Sequence, residues 1–101
     1  PVYRSHAESV NVEFESEISL ADARKAIAAF PGVILRDNPT EQEYPMPLFT
    51  SGKTDVEIGR LRRDESTENA LNFWICGDQI RKGAALNALQ IAEHMISHEL
   101  I

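Results

Sequence analysis

The chain has 101 residues, of which 43% are apolar, and a formal net charge of −6. This length permits one small domain, and the apolar share is sufficient for a packed core. With this acidic charge, the chain lacks the basic surface with which proteins bind nucleic acid or an anionic membrane. No apolar run approaches the ~20 residues that span a bilayer. A lone cysteine excludes an internal disulfide and is typical of the reducing cytoplasm, which is the location we expect.

Two apolar patterns near the start of the chain predict strands. Val10, Val12 and Phe14 alternate with polar residues, which is the period of a half-buried strand. Val33–Leu35 is a short apolar run that fits a buried strand. Joined by a helix with brief links, the two strands would form a crossover unit, which we expect to be right-handed.

A helix is predicted between these strands. Ser19 stands three residues before Asp22, the spacing of a capping box, which places the helix N-terminus near Leu20. Pro31-Gly32 then ends the helix. Between these signals the apolar residues recur at helical spacing, at Leu20, Ala23, Ile27 and Phe30.

The segment Asp37–Asp55 predicts a long loop, because prolines and a glycine are scattered through polar residues. The loop also carries a group of apolar side chains, Tyr44, Met46, Leu48 and Phe49. Long loops are often functional or docked on a partner, so we expect these side chains to contribute to a buried surface.

Two further strands are predicted after the loop. Residues 56–59 alternate between apolar and other side chains, which indicates one strand. A polar turn at Glu65–Asn69 separates it from Leu71–Cys76. Because Leu71–Cys76 is the most apolar candidate, we expect this strand at the centre of the sheet.

The most informative stretch joins the last strand to the last predicted helix. The strand breaks at Gly77, a polar turn follows, and small residues at Gly83-Ala84-Ala85 open a helix expected at about 83–100. Small side chains permit the close approach of a backbone or a flat ligand, and a helix start offers unpaired N–H groups to an anion. An ordinary strand–turn–helix junction is the alternative. Together the elements predict an α+β domain with a mainly antiparallel or mixed sheet and two helices.

Among candidate chemical groups, His6 lies just before the first predicted strand. An imidazole there could act as a general base tuned by the neighbouring Glu8, although a surface histidine at a strand start is the simpler interpretation. His94 and His98 lie four residues apart on the last helix, where a solvated face is favoured over a metal site because no third histidine is in reach. Cys76 ends an apolar strand and is expected to be a buried packing residue rather than a nucleophile.

Five segments, distributed over the whole chain, carry a resemblance to a known family. They are Pro1-Val2, Ser5–Val10, Tyr44–Pro47, Gly59–Asp64 and Asp78–Ala92. In this order they resemble the C-terminal part of aspartate-semialdehyde dehydrogenase. Each motif alone is weakly specific, whereas five in register are a strong signal.

The resemblance implies an oxidoreductase that reduces aspartyl-4-phosphate with NADPH to aspartate 4-semialdehyde, releasing phosphate. The reaction lies on the biosynthetic route to lysine (through diaminopimelate), threonine and methionine. In this family a cysteine nucleophile is acylated to form a thioester, and a histidine acts as the acid/base that transfers the proton. This pairing is typical of nucleophilic catalysis. By resemblance, His6 falls on the catalytic histidine and Gln79 on a residue that contacts the NADP cofactor. A homodimer or homotetramer is the implied assembly.

Several parts of the family pattern do not appear in this chain. They are the Gly-rich dinucleotide fingerprint, the nucleophilic cysteine and the substrate-binding arginine that precedes the match to Pro1. We therefore expect a C-terminal fragment that is inactive alone, in which residues 1–76 form the later part of the substrate and dimerisation domain. The helix at about 83–100 is expected to pack on an absent N-terminal dinucleotide-binding domain.

Two alternatives remain open. N-acetyl-glutamyl-phosphate reductase performs the same reductive dephosphorylation and carries a similar Lys-Gly-Ala-Ala stretch, here Lys82–Ala85. The following Leu86-Asn87 and the context of His6 favour the aspartate enzyme. A stand-alone interaction or ligand-sensing module with a strand–helix–strand fold would instead leave His6 and Gln79 as ordinary surface residues.

Overall fold

A computed structural model describes residues 2–101, and Pro1, part of the first resemblance segment, lies outside the described residues. The strands are β1 (His6–Glu13), β2 (Val33–Leu35), β3 (Val56–Arg63) and β4 (Ala70–Gly77). The helices are α1 (Leu20–Ala29), the single turn α2 (Pro47–Thr50) and α3 (Leu86–Ser97). A wide turn at Arg81–Ala85 precedes α3. Within residues 2–101, none of the helices has the length and apolar character needed to cross a membrane.

The four strands form one mixed sheet in the order β1-β4-β3-β2. Strand β4 pairs antiparallel with β1 and with β3, whereas β2 pairs parallel with β3. The predicted α+β class and the central place of the most apolar strand are therefore confirmed. Both predicted helices are present, and α2 is an additional turn of helix inside the predicted loop. Helix α1 connects β1 to β2 across the width of the sheet, because β4 and β3 lie between those two strands.

Helix α1 begins where the sequence predicts. The Ser19 hydroxyl oxygen accepts a hydrogen bond from the Asp22 backbone N–H at 3.0 Å, and the hydroxyl donates to the Asp22 carboxylate at 2.6 Å. The helix ends at Ala29, and Gly32 then adopts φ +77°, a conformation that favours glycine. Phe30 was expected on the apolar face, but its backbone is already extended and its side chain is 64% exposed.

The hydrophobic core lies between α1 and one face of the sheet. Ala23, Leu61 and Leu71 are buried there, and burial of each leucine side chain contributes about 1.5–3 kcal/mol. Cross-strand register puts Leu71 opposite Val12 on this face, towards one end of the strands. At the other end of the same face, the sheet is next to the turn that precedes α3. The candidate site lies between them.

The predicted loop packs on the opposite face of the sheet. The Trp74 indole N–H donates to the Pro45 carbonyl at 3.2 Å. Gly59 lies beneath the loop so closely that a Cβ atom there would be 2.1 Å from the Arg36 carbonyl oxygen. Three of the four apolar loop side chains nevertheless stay largely exposed, namely Tyr44, Leu48 and Phe49.

In the first half of β3, the buried residues are not the apolar ones. Glu57, Gly59 and Leu61 are buried, whereas Val56 and Ile58 are only half-buried. Glu57 is fully buried because ion pairs with Arg36 and Lys53, described below, compensate its charge. The alternation correctly predicts a strand but does not identify its buried face.

A bulge in β3 brings Leu61 into the core. The strand carries one extra residue between Gly59 and Arg62, and Arg60 adopts φ +54° there. The Asp37 carboxylate accepts hydrogen bonds from the backbone N–H groups of Arg60 at 2.9 Å and of Leu61 at 3.3 Å. Asp37 therefore satisfies the backbone groups that the bulge removes from the ladder.

Candidate functional site

The two residues predicted for the site, His6 and Gln79, line one groove at the end of the sheet. His6 is the first residue of β1 and lies opposite Gly77, the last residue of β4. Gln79 follows two positions after Gly77, in the turn. The antiparallel register of β1 and β4 therefore places both residues at the same end of the sheet.

The groove has a volume of about 290 Å³ and an amphipathic lining. Its floor includes Val56, Ile75 and Gly77, which share the α1 face of the sheet. Besides His6 and Gln79, its polar lining includes Glu8, Lys82 and Asn87. Glu8 is two residues from His6 on the same face of β1, so the proposed carboxylate neighbour does lie in the groove.

A larger cleft of about 490 Å³ lies elsewhere, between the start of the loop and the bulge of β3. It is lined by residues such as Tyr44 and Arg60 and contains neither His6 nor Gln79. Both of its carboxylates already have partners: Asp37 binds the bulge and Arg24, and Glu43 binds Arg36. The smaller groove is therefore the candidate site, on chemical grounds rather than on size.

Ser5 positions the Gln79 side chain. The Ser5 backbone N–H donates to Gln79 Oε1 at 2.8 Å. The Ser5 hydroxyl donates to the Gly77 carbonyl at 2.8 Å and lies 2.6 Å from Thr50 Oγ1. Ser5 is 3% exposed and has φ +83°. These contacts link segments distant in sequence, and no local pattern in the sequence indicates them.

Asp78 holds the turn that carries Gln79. Its carboxylate accepts hydrogen bonds from the backbone N–H groups of Gly52 at 2.6 Å and of Ile80 at 2.9 Å, and it pairs with Arg4 Nε at 2.7 Å. Burial by itself would raise the pKa of the Asp78 carboxyl, but these N–H groups and Arg4 hold that pKa below its usual value. The sequence signal for Asp78 is weak, namely an aspartate that can bond its own turn.

The lone cysteine is placed as predicted. Cys76 is 0% exposed in the middle of the sheet, on the face covered by the loop. Burial raises the pKa of its thiol to about 11, because the thiolate would be desolvated. The prediction of a buried packing residue is therefore confirmed.

His94 of α3 and His98, which follows the end of that helix, are both exposed. Their ring centroids are 4.0 Å apart, and His98 Nδ1 lies 2.9 Å from the His94 carbonyl oxygen. Among the described residues, no three metal-ligating side chains converge on one point.

Helix α3 is amphipathic but buries none of its residues. On the predicted apolar face, Leu89 is 56% exposed and Ile96 is 65% exposed. Its link to the rest of the described chain includes a hydrogen bond from Lys82 Nζ to Gln90 Oε1. The helix begins at Leu86, inside the expected range, and the small residues before it belong to the wide turn.

Comparisons with known proteins agree on one family. Residues 1–82 match the family model described as "Semialdehyde dehydrogenase, dimerisation domain". The aspartate-semialdehyde dehydrogenase of Aquifex aeolicus is 48% identical over 101 residues, which cover 100% of this chain and 30% of that protein. The corresponding Synechocystis protein is 50% identical over 96 residues, which cover 95% of this chain and 28% of that protein.

Solved structures give the same result. Aspartate semialdehyde dehydrogenase II from Vibrio cholerae, in its complex with ASA, matches with a TM-score of 0.82 and 34% identity over 95% of this chain and 28% of that chain. This chain spans only about 30% of the length of the curated relatives that it matches. The names of these relatives do not favour N-acetyl-glutamyl-phosphate reductase or a stand-alone module. Because the family model covers residues 1–82 of 101, this chain belongs to the semialdehyde dehydrogenase family, in its dimerisation domain.

Proposed function

We propose that this chain is the C-terminal part of an aspartate-semialdehyde dehydrogenase, which reduces aspartyl-4-phosphate with NADPH to aspartate 4-semialdehyde and phosphate. The observation that carries the proposal is that His6 and Gln79, predicted for two different roles, line the same groove. The names of the relatives support the choice of substrate. The route is then lysine (through diaminopimelate), threonine and methionine biosynthesis, in the cytoplasm.

His6 is proposed as the acid/base residue. Its backbone is held by the β1–β4 ladder while its side chain is exposed to the groove, so the imidazole can exchange protons with a substrate or a thiol. The nucleophilic cysteine would come from elsewhere in a longer protein, because Cys76 is buried and has a raised pKa. Residues 2–101 alone are therefore expected to be inactive.

The groove fits the nicotinamide end of NADPH. Val56 and Ile75 offer an apolar floor for a flat ring, and the Gln79 amide offers a polar partner for its carboxamide. A Cβ at Gly83 would meet only Gln79 Cβ, at 3.6 Å, so the turn leaves space beside Gln79. When bound, NADPH supplies the hydride for reduction. Gln79 and this floor would hold the ring.

The proposed domain organisation assigns residues 1–76 to the substrate and dimerisation domain and the helix at about 83–100 to packing on a dinucleotide-binding domain. The unburied apolar face of α3 supports the second assignment, since an exposed apolar patch of this kind marks a contact surface. The exposed Leu48 and Phe49, together with the family description, support a homodimer or homotetramer.

Turnover in the full-length protein tests the proposal. We expect the wild type to oxidise NADPH with aspartyl-4-phosphate, and His6→Ala to lower kcat about a hundredfold or more, the usual scale for loss of acid–base catalysis. His94→Ala is the matched control, because this histidine does not line the groove, and it should retain the wild-type rate. An inactive wild type, or a near-normal His6→Ala variant, would contradict the proposal.

Cofactor contact needs its own measurement. Gln79→Ala should raise the KM for NADPH, because the ring loses its polar partner. Gln42→Ala, which removes a glutamine from the other cleft, is the control and should leave that KM unchanged. An unchanged KM for Gln79→Ala would remove Gln79 from the cofactor site.

A further inference from the structure

The Gln79 amide is held in one of its two orientations, and this decides what it can recognise. Building on the proposed function, we propose that Gln79 acts in the groove as a hydrogen-bond donor through Nε2, and that Ser5 is the positioning residue that imposes this polarity. The group recognised is then an acceptor oxygen, the carbonyl of the nicotinamide carboxamide. The carboxamide nitrogen would not contribute.

The orientation follows from the chemistry of the partner atom. A backbone N–H can only donate, so the Gln79 atom 2.8 Å from Ser5 N must be the carbonyl oxygen. A flipped amide would place the Gln79 Nε2 donor against the Ser5 N–H donor. Because Ser5 is only 3% exposed, water could not replace the lost acceptor, and the flip would be costly. The contact therefore assigns both atoms of the amide.

Ser5 is itself fixed by two further contacts. Its hydroxyl donates to the Gly77 carbonyl at 2.8 Å and contacts the Thr50 hydroxyl at 2.6 Å, and the Thr50 hydroxyl also lies 3.3 Å from the Pro47 carbonyl. Ser5 also has φ +83°, a conformation that an L-residue adopts only when its surroundings determine it. The direction of the Ser5 N–H is thus fixed by contacts with β4 and α2.

The remaining polar atom of Gln79 is the donor. Within residues 2–101 no side chain or carbonyl accepts a hydrogen bond from Gln79 Nε2, and the same side chain lines the groove. A ligand carbonyl placed against Nε2 would be satisfied, whereas a ligand N–H would face a second donor. The groove is therefore selective for the carbonyl end of a carboxamide.

Dinucleotide analogues separate the two polarities. In the full-length protein, the Kd values of NADP+, its 3-acetylpyridine analogue and its thionicotinamide analogue are measured by calorimetry. The acetylpyridine analogue keeps the carbonyl and replaces the amide nitrogen with a methyl group, whereas the thionicotinamide analogue replaces the carbonyl oxygen with sulfur, a weak acceptor. We expect Gln79→Met to weaken NADP+ and the acetylpyridine analogue about tenfold and the thionicotinamide analogue less than threefold.

The positioning role has a parallel test. Ser5→Ala and Thr50→Val remove the hydroxyl contacts that aim the Ser5 N–H, and should weaken NADP+ and the acetylpyridine analogue about fivefold while leaving the thionicotinamide analogue nearly unchanged. Ser97→Ala, an exposed serine of α3, is the control and should change none of the three. A merely structural role would weaken all three analogues alike.

The outcomes distinguish this inference from the proposed function. If the wild type binds none of the three dinucleotides, the proposed function fails and the inference fails with it. If the wild type binds them but Gln79→Met loses its effect with the acetylpyridine analogue, Gln79 is an acceptor and the inference alone is overturned. Equal weakening of all three analogues by Ser5→Ala and Thr50→Val would likewise overturn the role of Ser5.

Discussion

The Arg36 guanidinium binds the Glu57 carboxylate at two points, with Nε 2.8 Å from Oε2 and Nη2 3.3 Å from Oε1. The Glu57 side chain is 0% exposed, whereas Lys53, its second partner, is more distant at 3.4 Å. The hydrogen bond to Glu57 raises the pKa of Arg36, although partial burial opposes that shift. This pair ties the residue that follows β2 to the start of β3.

Replacement of Arg36 tests how much the Arg36–Glu57 pair stabilises the domain while Glu57 is buried. We expect Arg36→Met to lower the free energy of unfolding of the domain by about 3 kcal/mol, because Glu57 would stay buried with only Lys53 as a partner. Arg63→Met is the matched control, since Arg63 pairs with Glu17 on the surface and should cost about 0–1 kcal/mol. Urea denaturation measures both. Equal losses for the two variants would show that the Glu57 pair is no more important than a surface pair.

Gly59 is predicted to tolerate no side chain. A Cβ there would lie 2.1 Å from the Arg36 carbonyl oxygen and 2.6 Å from Pro45 Cδ, so the loop would have to lift from the sheet. We expect Gly59→Ala to destabilise the domain by about 3 kcal/mol. Gly83→Ala is the control, because its Cβ would make an ordinary 3.6 Å contact with Gln79. Thermal melts that rank Gly83→Ala as equally damaging would contradict the close approach at Gly59.

The stability of the domain should depend on pH through Asp78. The folded-state pKa of this carboxyl lies below its ordinary value of 3.8, so the folded state binds fewer protons than the unfolded state in that range. The contribution of Asp78 is therefore fully present above about pH 4 and is lost as the pH falls through the folded-state pKa.

Asp78→Asn should remove that dependence. Asp78 accepts from Gly52 through Oδ2 and from Ile80 through Oδ1, whereas asparagine keeps only one acceptor oxygen. One of these N–H groups would then face the amide nitrogen, so we expect a less stable domain at pH 6. As the pH falls below about 4, the urea midpoint of Asp78→Asn should decrease less steeply than that of the wild type. Parallel curves for the two proteins would show that Asp78 is not held ionised by these contacts.

Cys76 is predicted to be chemically inert in the folded state. With a pKa raised to about 11 and no exposed surface, its thiolate is scarce at neutral pH and inaccessible. We expect Ellman's reagent to label the native chain at least about a hundredfold more slowly than the urea-unfolded chain, which is the internal control. In the full-length protein, Cys76→Ala should keep the wild-type kcat. Rapid native labelling, or loss of turnover, would contradict its role as a packing residue.

Elements with local signals could be predicted from the sequence. The start of α1 follows from the Ser19 cap, which bonds a residue three positions away. The central strand β4 and the burial of Cys76 follow from one run that is apolar except for Asn72, because such a run needs cover on both faces. His6 and Gln79 were found through motif resemblance, and their roles remain predictions.

Contacts between distant segments were decided by the tertiary structure alone. Glu57 is buried because Arg36 reaches it from the end of β2, although a glutamate in a strand is ordinarily expected to face water. The polarity of Gln79 depends on Ser5, 74 residues away, through a backbone N–H that no sequence pattern describes. Local propensity and periodicity determined which segments are helices and strands. The pairing of β1 with β4 determined which side chains meet in the groove, because only register brings chain segments this far apart into hydrogen-bonding distance.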